Sequence, residues 1–391
     1  MKNTKYDFQS IVDRHDTNCV KWDLFGDEFP MWVADMDFKV APPIQEAVLK
    51  RSNHPVYGYT FVPDELFNAY INWWNSRYDF KMLRKDMLYS IGVMPSISSI
   101  IRCLTEEGDG ILIQSPVYHV FYYVIEDNNR RVIVNQLSYN GGKYEIDFDD
   151  LDEKLSKSKL MILCNPHNPI GKIWSRNDLD HILELCEKHN VVLISDEIHC
   201  DLTDPNISYN PFKSGNNVIT CLSPSKSFNI AGFQSSIVHT VNEELYKKIK
   251  LQLHIDNSDS CNVFAVNAVV AAYNESSGWL EELKSVLYRN KLIVRDFLLN
   301  ELPSLKLVES EATYLLWIDC SSLGIPSKSL SDFLRENQGL FLSPGIDFGQ
   351  NGDDFLRMNI ACPESMLIDA LDRFKKGIVD LNTVGINESL D

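Results

Sequence analysis

LMILCNPHNPIGKIWSRNDLDHILELCEKHNVVLISDEIH, residues 160–199, sets the fold class. It opens on Leu160–Cys164 and closes on Val191–Ser195 before an acidic turn, and both are short runs rich in Ile, Leu and Val. Continuous apolar runs of this length suit strands buried on both faces of a parallel sheet. Between them, Asn177–Asn190 carries Leu179, Ile182, Leu183 and Cys186 at helical spacing. Strand, helix, strand is the repeating unit of an α/β domain. Val218–Leu222 continues the rhythm downstream. Upstream, Leu88–Ile91 reads as a strand, and Ile97, Ile100, Ile101 and Leu104 mark one face of the helix after it.

The pattern changes after Gly278. Leu280, Leu283, Leu287, Val294 and Leu298 predict a long helix, followed by shorter strands at Tyr314–Ile318, Gly339–Leu342 and Phe355–Ile360. A last helix shows Leu367, Ala370, Leu371, Phe374 and Ile378 on its apolar face. The expected organisation is a large α/β domain over residues 46–282, its mostly parallel central sheet flanked by helices. A smaller α+β domain is expected from residues 283–391 together with the N-terminal segment 1–45. No Gly/Ser-rich linker or repeat marks the boundary.

Composition narrows the functional classes. At 391 residues, 44% hydrophobic and 24% charged, the chain has ordinary globular proportions and length for two or three domains. A formal charge of -18 argues against a nucleic-acid partner, which wants clustered Lys and Arg. The longest apolar stretches, such as Val263–Ala272, are too short to span a bilayer, and Met1–Asp7 lacks the apolar run of a signal peptide. Nine scattered cysteines without a CxxC pair indicate neither a zinc site nor a disulfide framework. No metal is expected, and a reducing, cytoplasmic setting fits best.

Three segments at strand ends carry chemistry. In Leu222-Ser223-Pro224-Ser225-Lys226-Ser227, a lysine follows a buried-type strand, the place where α/β sheets hold ligands. Most lysines are solvated surface residues. A desolvated one loses proton affinity and can form a Schiff base. Ser223 and Ser225 are candidate phosphate donors beside it. In Ile194-Ser195-Asp196-Glu197-Ile198-His199, Asp196 is either a helix N-cap or a buried carboxylate paired with a protonated pyridine nitrogen. Glu197 should point away from it. In Asn165-Pro166-His167-Asn168-Pro169, the Asn-Pro steps force a turn, and Asn168 is either part of that turn or a donor to a ring oxygen.

The order Asn-Pro-His-Asn-Pro-x-Gly, Ser-Asp-Glu-Ile-His, Ser-Pro-Ser-Lys resembles fold-type I pyridoxal-phosphate enzymes, the aspartate aminotransferase superfamily. Met31–Phe38 (MWVADMDF), Val56–Tyr59 (VYGY), Ser343–Gly349 (SPGIDFG) and Phe355–Ala361 (FLRMNIA) look like its MalY/PatB group, whose members are cystathionine β-lyases, also called C–S lyases. The resemblance runs from about Tyr6 to about Lys376. It implies pyridoxal 5'-phosphate as cofactor, a small amino-acid substrate, and a homodimer with a shared active site.

Residue by residue, the resemblance implies that Lys226 anchors the cofactor covalently and later moves the α-proton. Asp196 would pair with the ring nitrogen and Asn168 with the ring oxygen. Tyr118 would stack on the ring, with a packed core aromatic as the alternative. His199 stands where many aminotransferases carry Tyr, and a satisfied structural histidine is its alternative. Gly92–Ser96 would bind phosphate at a helix start through Met94, Pro95 and Ser96, with Ser223 and Ser225 as further donors. Tyr59 matches a tyrosine that reaches the neighbouring subunit's phosphate. Arg357 would grip the substrate carboxylate, with Ala34 and Asp35 also on the substrate side. Many aminotransferases place an Arg eight residues after the lysine, where this chain has Gln234. The implied reaction is α,β-elimination giving a thiol, pyruvate and ammonia. The alternatives are transamination, or a mainly regulatory role as a binding partner of a transcription factor.

Overall fold

The computed structural model describes residues 5–384. Seven strands form its central sheet: β1 (Met87–Ser90), β2 (Gly110–Ser115), β3 (Arg131–Gln136), β4 (Leu160–Cys164), β5 (Val192–Asp196), β6 (Val218–Leu222) and β7 (Ser236–His239). Their spatial order is β1-β7-β6-β5-β4-β2-β3. β7 is antiparallel to both of its neighbours, and every other pairing is parallel.

Alternation along β4 explains why its sequence is apolar throughout. Leu160, Ile162 and Cys164 pack on one face of the sheet with Ile97, Ile100 and Ile101 of α1 (Val93–Leu104). Met161 and Leu163 pack on the other with Leu179, Ile182 and Cys186 of α2 (Arg176–Lys188). Each such buried side chain is worth about 1.5–3 kcal/mol, so a slip of one residue would trade the two faces and cost packing on both. α2 starts at a capping box: the Ser175 hydroxyl accepts from the Asp178 amide, and the Asp178 carboxylate accepts from the Ser175 amide. Asn190, at φ 54°, turns the chain out of the helix and into β5.

A second, four-stranded sheet contains β8 (Lys306–Leu307), β9 (Leu315–Asp319), β10 (Ser343–Pro344) and β11 (Phe355–Asn359), antiparallel in the order β8-β9-β11-β10. Leu316 and Met358 of this sheet share a core with Leu330, Leu334, Leu367 and Phe374. The long helix α3 (Ser277–Glu301) leads from the first sheet to the second, and α4 (Glu364–Val384) closes the described chain. We propose the division at residue 282 as a functional boundary only; it falls inside α3.

Residues 31–38 have no regular secondary structure. They form a strap that follows Phe29–Pro30, which pairs in parallel with Leu340–Phe341. Among the described residues no helix is long and apolar enough to cross a membrane. All nine cysteines are free thiols.

Candidate active site

Because β2, β4, β5 and β6 are parallel, their C-terminal ends share one edge of the sheet. β1 and β6 are both antiparallel to β7, so β1 also ends there and β7 begins there. A cavity of about 280 Å³ lies at this edge. Its lining includes Met94 and Pro95 after β1, Tyr118 after β2, Asn168 after β4, Asp196 and His199 at the end of β5, and Ser225 and Lys226 after β6. Segments far apart in sequence meet here because each follows the end of a strand in the same sheet.

The Lys226 side chain points across this space, and its Nζ donates to the Ala34 carbonyl oxygen at 2.6 Å. Burial pushes the amine down to about 8, with Asp35 and Asp196 opposing the shift and Arg357 adding to it. Burial also raises the Asp196 carboxyl to about 7. One of its oxygens accepts from the Ile198 amide at 3.1 Å, and it has no ion pair among the described residues. Glu197 turns the other way, accepting from Ser195 Oγ and the Phe212 amide, each at 2.9 Å. The two adjacent acids are thus in separate environments, as strand geometry requires.

Asn168 Oδ1 accepts from Arg357 Nη1 at 3.1 Å, which ties the second sheet to the cavity. Arg357 also donates to the Trp32 carbonyl at 2.7 Å and lies over the Phe348 ring. Its guanidinium is buried without a carboxylate among the described residues, its Nε has no partner, and burial lowers it to about 10. A buried, uncompensated guanidinium favours an anionic ligand. His199 is buried with Nδ1 unpartnered among the described residues, and burial depresses it to about 3, so the ring is neutral near pH 7. α1 has no side-chain N-cap, leaving the Val93 and Met94 amides available to an anion.

Several expected residues are not in the cavity lining, Arg357 among them, which reaches it only through Asn168. The Asp35 carboxylate is paired with Arg14 at 2.7 Å and does not line the cavity. The Ser96 hydroxyl donates back to the Gly92 carbonyl at 2.8 Å and does not line the cavity. Ser223 Oγ bonds the Ser225 hydroxyl and the Ser235 carbonyl, which makes it a brace behind the wall. Tyr59 is fully exposed and does not reach the cavity of its own chain.

Other residues line the cavity without having been singled out from sequence. Ser235 has a buried hydroxyl with no partner among the described residues; it follows Gln234, already noted in the sequence, which sits at φ 49°. Cys164, Ile198, Ile91 and Ala231 also line the cavity. Tyr314 donates to the Ala34 carbonyl at 3.1 Å. Ser235 follows an irregular turn rather than a periodic run, so no local pattern marks it; Tyr314 opens a strand-like run in which its hydroxyl has no visible partner.

Arg357→Lys is expected to raise KM for an amino-acid substrate about ten- to a hundredfold with a smaller fall in kcat. A lysine keeps the charge but loses the planar fork, and charged hydrogen bonds are worth about 1.5–3 kcal/mol. Steady-state kinetics check this, and an unchanged KM would remove Arg357 from carboxylate recognition.

Comparison with known proteins adds family evidence. Residues 35–374 match the family model for aminotransferase class I and II. The chain is 38% identical to cystathionine beta-lyase PatB of Bacillus subtilis, covering 95% of this chain and 99% of that protein. It is 34% identical to protein MalY of Escherichia coli, covering 93% and 96%. The crystal structure of cystalysin from Treponema denticola, which contains a pyridoxal 5'-phosphate cofactor, superposes with a TM-score of 0.93 at 32% identity, covering 97% of this chain and 100% of that one.

Proposed function

Because the chain belongs to the aminotransferase class I and II family, we infer that it is a pyridoxal-phosphate-dependent carbon–sulfur β-lyase acting on S-linked amino acids such as cystathionine. One observation carries the reading. A single cavity holds a lysine of lowered basicity and a buried carboxylate that has no ion pair among the described residues.

These residues fit the cofactor. A protonated ring nitrogen would supply the cation that Asp196 lacks. A phosphate would meet the free amides at the start of α1 and the hydroxyls of Ser225 and Ser235. Tyr118 offers an aromatic surface to the ring. Asn168 Nδ2 has no partner among the described residues and is the donor left for the ring oxygen, since its Oδ1 is already taken. Pyridoxal phosphate, when bound, supplies an electron sink that stabilises negative charge at the substrate α-carbon.

The remaining tasks fall to the chain. Lys226 Nζ would hold the cofactor covalently and, as a free amine, would be the base for the substrate α-proton. With an amine near 8, a sizeable fraction is unprotonated at neutral to mildly alkaline pH. Arg357 pairs with the substrate carboxylate and turns the α-carbon toward Lys226. Asp196 keeps the opposite end of the site anionic. His199 is neutral and adds no competing charge. In the net reaction the α-proton leaves and the Cβ–S bond breaks with its electron pair on sulfur. The sulfur departs as a thiol carrying one proton, and water converts the three-carbon remainder to pyruvate and ammonia.

A homodimer is part of this reading. Val56, Tyr57, Tyr59 and Phe61 form an exposed apolar row, the kind of surface that a second copy would cover. Tyr59 in that row would then serve the neighbouring cavity. Free thiols throughout support a reducing, cytoplasmic setting.

The direct test incubates the cofactor-loaded protein with L-cystathionine and other cysteine conjugates without any keto acid. Pyruvate, ammonia and thiol should appear in equal amounts. Turnover that strictly requires a keto-acid acceptor would make the protein a transaminase. No turnover at all would leave a binding role instead.

A further inference from the structure

The strap places five consecutive main-chain carbonyls where side chains donate to them. Trp32 oxygen accepts from Arg357 Nη2 at 2.7 Å, and Val33 oxygen from Asn359 Nδ2 at 2.6 Å. Ala34 oxygen accepts from Lys226 Nζ at 2.6 Å and from the Tyr314 hydroxyl at 3.1 Å. Asp35 oxygen accepts from Asn359 Nδ2 at 2.6 Å, and Met36 oxygen from Asn229 Nδ2 at 3.0 Å. The carbonyls at 32 and 34 therefore meet the two cations that the proposed reaction depends on. A carbonyl that accepts from an amine limits where its lone pair can point, so the height and rotation of the strap set the aim of Lys226.

Main-chain bonds to the rest of the protein hold the strap only at its two ends: the Met31 amide donates to the Phe341 carbonyl and the Asn359 amide to the Met31 carbonyl, at 2.9 and 2.8 Å, and the Asp37 amide donates to the Ala361 carbonyl at 2.9 Å. What holds it on the far side is a charge cluster from the N-terminal segment. Arg14 Nη1 and Nη2 bond Asp35 Oδ1 and Oδ2 at 3.2 and 2.7 Å. Arg14 Nη1 also reaches the Met36 carbonyl and Asp37 Oδ1. Lys21 Nζ bonds Asp37 Oδ2 at 2.6 Å and the Asp35 carbonyl at 3.3 Å. Trp22 Nε1 takes Asp37 Oδ1 at 2.9 Å. The Lys21 and Asp37 side chains are only 1% and 2% exposed.

A buried ion pair of this kind adds little net stability. Its desolvation offsets most of the Coulomb gain, and an apolar pair of similar volume often serves as well. Fixing one position rather than another is what such a pair does better, because charges tolerate only a narrow geometry. None of these four charged side chains lines the cavity.

We infer that Arg14 and Lys21 are positioning residues for the reaction: by pairing with Asp35 and Asp37 they fix the carbonyls of Trp32 and Ala34, against which Arg357 and Lys226 are aligned. The inference rests on the lyase reading for the reaction concerned. The alignment itself concerns the strap and Lys226 whatever reaction follows.

The test compares Arg14→Gln, Arg14→Lys and Asp35→Asn with the parent as holoenzymes. Four readouts are taken: amide hydrogen exchange of residues 31–38, visible circular dichroism per mole of bound cofactor, kcat with KM, and melting temperature. In Arg14→Gln and Asp35→Asn, exchange at 31–38 should quicken and the visible dichroism should change in amplitude. Their kcat should fall about ten- to a hundredfold, more than the folded fraction does. Arg14→Lys should recover part of each loss. If Arg14→Gln does not fold, Asp35→Asn decides alone, since it keeps the shape while removing the charge and one of the two acceptors that Arg14 uses. Values of kcat and dichroism within twofold of the parent, in variants that fold and bind cofactor, overturn the inference. So does a fall in kcat that only follows the loss of folded protein. If the parent itself eliminates no cysteine conjugate, the lyase reading fails, and exchange and dichroism then decide the role of the strap.

Discussion

Lys226→Ala is expected to abolish borohydride-reducible attachment of pyridoxal phosphate and to lower kcat/KM for elimination at least about a thousandfold. General acid–base assistance alone contributes about 10²–10⁴, and this substitution also removes the covalent anchor. The geometry explains why no other group would substitute. Among the described residues Lys226 is the only lysine lining the cavity. The next lysine near the strap, Lys21, is held by Asp37 at 2.6 Å. Loss of that amine also frees the Ala34 carbonyl of one of its two donors, leaving Tyr314. Peptide mass spectrometry after reduction locates the adduct, which should sit on Lys226 in the parent and be absent from the variant. A reducible adduct that persists in the variant would identify another lysine as the anchor and end the present reading of the site.

Asp196→Asn should act in opposite directions on the cofactor-free and cofactor-loaded protein. In the holoenzyme the carboxylate would stabilise a ring cation, and losing it should lower kcat on the order of a hundred- to a thousandfold, the usual scale for one aligned electrostatic group. Without cofactor, burial raises this carboxyl to about 7, far above its unfolded value near 3.8. An acid with a raised folded pKa binds more protons folded than unfolded. Its penalty on the folded state is therefore absent at low pH and grows as pH rises toward 7, reaching on the order of 4 kcal/mol above that. The amide has no such penalty. Cofactor-free Asp196→Asn should thus be the more stable protein at pH 8, with the advantage shrinking as pH falls through 7 toward 4. Denaturant unfolding of both proteins across that range measures it. A difference that does not vary with pH would mean that Asp196 is not the titrating group.

Much of this architecture can be read from periodicity. β4 and β6 match their apolar runs to the residue, and α2 differs from its expected span only at the ends, where Ser175 caps the start and Asn190 marks the stop. Placing Lys226, Asp196 and Asn168 at one edge follows from putting each after a parallel strand. β7 was not legible: Ser236–His239 mixes polar and apolar residues and is antiparallel within a parallel sheet. Nor was the fate of Asp35. In Ala34-Asp35-Met36-Asp37 the two acids look equivalent, and only Arg14 and Lys21, far back in the chain, decide where each carboxylate points. Ser96 shows the same limit from the opposite side. Its position at a helix start suggests a ligand contact, while a local carbonyl captures the hydroxyl instead. Periodicity reports which face of an element is buried. Which distant group claims a polar side chain depends on contacts that leave no mark on local sequence.

The strap also bears on how the protein is made. Trp32 is joined to Arg357 across 325 positions, and Val33 to Asn359 across 326. A ribosome releases the chain from its beginning, at about 5–20 residues each second. The first portion to emerge must therefore wait tens of seconds for the donors that seat it. During that interval its apolar residues Met31, Trp32, Val33 and Phe38 have no permanent home, and the central sheet can assemble behind them. The alignment of Lys226 would consequently arrive late, only once Arg357 and Asn359 have been released, whatever the speed at which the sheet itself forms.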